Sequence, residues 1–224
     1  MRIDARLARL TVIGSWAALF VVLWATGASS RYLGARTQWL VPFGAVTLVG
    51  ALALALRGPR HGARLRAGEG IGLLLLCVPL VGALLVPHAE LGAYAASHKS
   101  TGFFPAVKPK PPATPRDVTL LDVKVAQRDD FYALVSHIHR GTRVDLVGIV
   151  THTGADSFSL TRFYITCCIA DAQPLTIVVR SRARPQVDEW VRVVGPLTRD
   201  WGLAADHVTR VAKPSQPYLS FSPR

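Results

Sequence analysis

Leu10–Ala28, LTVIGSWAALFVVLWATGA, decides the first half of the fold: 19 residues without a charged side chain. A helix needs about 20 predominantly apolar residues to cross the hydrocarbon core of a bilayer, within a range of about 17 to 25. Two similar runs follow, Trp39 to Leu56 and Ile71 to Val86, and neither holds a Lys, Arg, Asp or Glu. The third is short and contains Pro79, which predicts a kink or a locally thinned bilayer. Together the runs predict three transmembrane helices over residues 1–87. The lack of ionisable groups inside them argues against a pore built from this chain alone, because such groups mark transport pathways.

The charges between the runs predict an orientation. Arg2, Arg6 and Arg9 precede the first run, and Arg57, Arg60, Arg64 and Arg66 lie between the second and third. The intervening loop holds only Arg31 and Arg36. Basic residues in short loops favour the cytoplasmic side, so the N-terminus is expected inside and everything after the third run outside. The basic start and the small residues Ala25–Ser30 also fit a cleaved signal peptide. That alternative leaves the rest of the chain on the same side.

The formal net charge of +12 is partly topological. Residues 1–100 carry ten Lys/Arg against Asp4, Glu69 and Glu90; the remainder carries 16 against 11. No face interleaves basic and aromatic residues as a nucleic-acid domain does, so no nucleic-acid partner is expected.

Residues 88–116 read as a connector. Its end, KPKPPATP at 108–115, lacks backbone donors for helix or central strand and predicts an extended spacer. Residues 117–224 then suit one small α+β domain. Phe131, Leu134, Val135 and Ile138 have helical spacing behind Asp129 and Asp130, whose charges suit a helix N-terminus. Five strands are predicted, at 142–151, 157–168, 175–180, 190–197 and 207–213. One helix and five short strands predict a small OB-like β-barrel, with a β-sandwich as the alternative.

The stretch RFYITCCIADAQP, Arg162 to Pro174, carries the chemistry. Cys167 and Cys168 are adjacent and Asp171 follows three residues on. Neighbours on a regular strand point to opposite faces, but a turn before Pro174 brings both sulfurs to one ion. Thiolates suit zinc or copper(I), and Asp171 and His152 are the residues expected to complete a metal site; His137 and His139 are further candidates. Arg162 is expected to pair with Asp171. Phe163, Thr166 and Pro174 are expected to shape the motif. Two other readings stay open: a labile redox pair, and structural thiols packed as small hydrophobes. The vicinal spacing is not the Cys-x-x-Cys code of structural zinc or of thiol oxidoreductases. No nucleophile elbow, nucleotide loop or paired-carboxylate arrangement appears either, so no enzyme is expected.

This motif resembles the signature of a bacterial family of three-helix permease subunits, the DUF1980-like proteins. So do the three apolar runs, the segment LGAYAASHK at 91–99, and DEWVRVVG at 188–195 with KPSQPY at 213–218. Ile169 departs from the family pattern, where Ala is common. The resemblance implies a non-catalytic, multi-pass subunit of the cell membrane that partners a larger multi-span permease. The alternatives left by the residues themselves are a membrane-tethered thiol redox protein and an envelope ligand-binding module with structural cysteines.

Overall fold

The computed structural model describes residues 5–58, 67–85, 91–99, 109–114 and 117–220. Arg2, Arg60, Arg64, Arg66 and parts of the connector lie outside the described residues. The chain divides into two compact units, Met1–Ser29 with Gln38–Ala89, and Ser30–Thr37 with Glu90–Arg224.

The first unit consists of helices α1 (Ala5–Thr26), α2 (Leu40–Arg57) and α3 (Ala67–Leu85). Two of them, α1 and α2, are long and apolar enough to cross a membrane. Helix α3 has 19 residues and holds a shorter apolar stretch, Gly68–Gly82, among the described residues. Of the three expected spans, two thus have the length and composition of a crossing helix among the described residues. Helices α1 and α2 pack through small side chains, as apolar helices do when close approach supplies the attraction. A Cβ on Gly44 would fall 2.6 Å from the Phe20 ring. The charged groups gather at one end: Arg6 donates to the carbonyls of Ala55, Leu56 and Gly58 at the end of α2, where a cation complements the helix dipole. Arg9 pairs with Glu69 at 3.1 Å.

The second unit is built on one sheet: β1 (Arg143–Thr153), β2 (Ser157–Tyr164), β3 (Gln173–Arg180), β4 (Trp190–Pro196), β5 (Leu203–Ala204), β6 (His207–Arg210) and β7 (Tyr218–Leu219). The strand path is β5-β3-β2-β1-β4-β6, with β7 beside β2. Most pairs are antiparallel; β3–β5 and β2–β7 are parallel. The sheet is open and mixed rather than a closed barrel, because β5 is two residues long and meets the end of β4 by a single bridge, Leu197 to Leu203. With all described strands in one sheet, a two-sheet sandwich is excluded for them.

Two short helices cover this sheet. Helix α5 (Leu120–Ala126) was not predicted, although its start is marked: the Thr119 hydroxyl caps the Asp122 amide, and Asp122 accepts back from the Thr119 N–H at 2.8 Å. Helix α6 (Asp130–Ser136) begins at the Asp129 cap. It buries Tyr132, Ala133 and Ser136, while Phe131, Leu134 and Val135 are exposed. The predicted core face of this helix is thus reversed, and only Ile138, beyond the left-handed His137, is buried as expected. Tyr132 is turned inward by its hydroxyl, which donates to Asp122 at 2.7 Å. Asp122 has no exposed surface, so its carboxylate needs these partners.

The main core joins α5 and α6 to Leu146, Val150, Leu160, Val179 and Val193. A chain of hydroxyls, Thr151 to Thr161 to Thr176, links β1, β2 and β3 at 2.8 Å per step, a cross-strand arrangement that stabilises sheet register. A second cluster of Phe163, Ile165 and Ala172 packs with Leu91, Ala95, Ala96 and Tyr218. It takes in α4 (Ala93–His98), so part of the connector is helix packed on this domain. Residues 109–114 form neither helix nor strand.

Candidate thiol site

Strand β2 stops at Tyr164, earlier than predicted, and a single 3-10 turn, Ile169–Asp171, precedes β3. Asp171 makes this turn. Its Oδ1 accepts from the Thr166 N–H at 2.9 Å, and its Oδ2 accepts from the N–H groups of Cys167 at 2.7 Å and Cys168 at 3.5 Å. Successive amides converging on one carboxylate curl the backbone, so the adjacent sulfurs no longer diverge. Their Sγ atoms lie 3.6 Å apart. Two thiolates on a tetrahedral zinc with bonds of about 2.3 Å would stand about 3.8 Å apart.

The ligand atoms of Cys167, Cys168 and Asp171 all lie within 4.8 Å of one another. Oδ1 accepts from one amide and keeps a lone pair, whereas Oδ2 already accepts from two. Cys167 is exposed and Cys168 half-buried. Such a donor set offers a soft ion two sulfurs and an oxygen, with an open position. His152 is not part of it: it stands opposite Ser159 at the far end of the β1–β2 ladder. His137 caps α6 and His139 follows it.

The electrostatics favour the protonated thiol while no cation is present. The hydrogen bond to Asp171, then that to Cys168, pushes the Cys167 thiol up to about 11. Burial raises the Asp171 carboxyl, but the bonds from Cys167, Thr166 and Cys168 outweigh it and hold the group below its usual value. At neutral pH Cys167 is then held as the thiol. That disfavours thiol–disulfide exchange, which needs the thiolate. A bound cation removes the proton directly.

The expected Arg162–Asp171 pair does not form. Arg162 donates to the carbonyls of Pro217 at 2.9 Å, Gln216 at 2.8 Å and Val147 at 3.3 Å, and its guanidinium lies 5.3 Å from the centre of the Trp190 ring. Burial lowers its pKa to about 10. It ties the chain's closing segment to the sheet. Phe163 sits in the second apolar cluster, opposite Pro174 in the β2–β3 ladder.

Segments far apart in sequence meet at this turn. Lys99, at the end of α4, reaches the carbonyls of Ile169 at 3.4 Å and Ala170 at 3.1 Å. Asp188 accepts from the Ala93 N–H at the start of α4. Residues 30–37 also hold the turn. Gly34 N–H donates to the Cys167 carbonyl at 3.0 Å, Thr37 Oγ1 donates to the same oxygen at 2.6 Å, and Ile169 N–H donates to the Tyr32 carbonyl at 2.8 Å. Sequence reasoning missed this strap. Its only local mark is Gly34, where a Cβ would sit 3.0 Å from the Thr166 carbonyl.

Fold and site together define a small mixed-sheet domain with a vicinal-thiol turn, carried on a chain with apolar N-terminal helices. Residues 129–219 match the family described as the DUF1980 C-terminal domain. The match covers most of the sheet and the thiol turn. No curated protein and no solved structure matches the chain.

Proposed function

We propose that this chain is an accessory, non-catalytic subunit of a two-component membrane permease, and that its C-terminal unit binds a soft metal ion, zinc or copper(I), outside the cell. The observation that carries the metal reading is the pair of sulfurs at 3.6 Å with the Asp171 carboxylate beside them. Cys167 and Cys168 supply the thiolates, Asp171 the oxygen, and water or a partner's side chain the open position. An accessory role is supported by apolar helices without ionisable groups in their middles, and the permease partner by the family resemblance. Residues 30–37 belong to the same compact unit as the thiol turn. That suits one extracytoplasmic location for both, as the arginine distribution predicts.

The test is metal content of the full-length chain purified anaerobically in detergent, beside Cys167→Ser/Cys168→Ser. About one zinc or copper per chain, lost in the variant, is the expected result. Metal-free protein with two unreactive thiols would leave the cysteines as scaffold. Co-purification of a multi-span protein, and loss of transport when this chain is deleted, test the partnership separately.

A further inference from the structure

Cys167 is held to the strap by its backbone and offers its sulfur outward, so the candidate ion and the strap share one residue. The strap is short and tightly engaged: both Gly34 and Thr37 donate to the Cys167 carbonyl, Leu33 bridges to Cys168, and Tyr32 accepts from Ile169. On one side, two residues separate Thr37 from α2, which starts at Leu40. On the other, α1 ends at Thr26, and a left-handed Gly27 follows.

The geometry points to a coupling in which occupancy of the Cys167–Cys168–Asp171 site by a soft metal ion sets how firmly Ser30–Thr37, the turn between the two apolar helices, is held. This rests on the metal reading given above and adds what the ion regulates. An ion bridging both sulfurs fixes the Cys167–Cys168 peptide. The carbonyl that the strap grips is part of that peptide, so the strap's hydrogen bonds open less often. Linkage makes the effect reciprocal: a weakened strap must weaken the ion by the same factor. Gly34 and Thr37 are positioning residues here, since neither offers the ion a ligand.

Hydrogen exchange on the full-length chain in detergent, with and without zinc chloride as the sole probe, tests this. Peptides spanning residues 30–37 and 165–172 should both slow on zinc addition by about tenfold, a change local opening equilibria readily produce. Cys167→Ser/Cys168→Ser should abolish both responses. Thr37→Val removes the hydroxyl donor at nearly constant volume and should weaken zinc binding by up to about tenfold, the reach of one hydrogen bond; Thr37→Ser, which keeps the donor, should restore it. Stoichiometric zinc that slows residues 165–172 but leaves 30–37 unchanged, with wild-type affinity in Thr37→Val, overturns the coupling and spares the metal site. No zinc binding at all overturns both.

Discussion

Asp171 is the residue on which the thiol turn depends, and its pH behaviour follows from two opposite shifts. Its own carboxyl is held below the usual value, so the turn is stabilised above the unfolded carboxyl range and loses that support as pH falls through the lowered folded value. Cys167 is raised to about 11 from 9.0, so its contribution is complete below pH 9.0 and is lost as pH rises through about 11. Exchange protection of residues 165–172 should therefore form a plateau with an acid and an alkaline limb. Asp171→Asn should erase the acid limb and speed alkylation of Cys167 at pH 8, because the carboxylate that retains the proton is gone. An unchanged alkylation rate would contradict this account. Tyr132→Phe makes a second residue-scale case: it takes one donor from a buried carboxylate and should cost about 1.5–3 kcal/mol by denaturant unfolding.

Among the elements, α6 separates what the sequence discloses from what it hides. Its existence was legible from Asp129, Asp130 and the apolar spacing, but its buried face was not. In seven residues, Phe131, Leu134 and Val135 make as good a stripe as Tyr132, Ala133 and Ser136, and the choice falls to a contact with Asp122 ten residues earlier. Leu134→Gln should therefore shift unfolding by no more than about 0.5 kcal/mol, whereas Ile138→Ala should cost about 2–5 kcal/mol. Equal losses would restore the predicted face. The long strands were legible for a simpler reason: β1 to β4 alternate or run β-branched between turn residues. Strands β5 and β7 have two residues each and exist only because a distant edge accepts them. At the site, the thiols and Asp171 could be read from spacing, whereas Arg162's true partners are backbone carbonyls, which carry no sequence signature.

At the scale of the whole molecule, hydropathy located the three apolar helices, of which α3 continues through Pro79 and α1 and α2 have the length and composition to cross a membrane. A chain held in the bilayer by α1 and α2 should remain in the membrane pellet after alkaline carbonate washing. Release into the supernatant would remove the basis for membrane anchoring.

The strap also orders events in synthesis. Thr37 leaves the ribosome 130 residues before its partner Cys167, so the C-terminal domain must wait for nearly the entire polypeptide before its last piece can dock. The entropic penalty for closing so long a loop grows only logarithmically with length, and timing matters more than thermodynamics. A gene cut at the proline-rich spacer would encode most of the sheet, yet it would lack Gly34, Thr37 and Lys99, and the thiol turn would be born without the clasp that holds it.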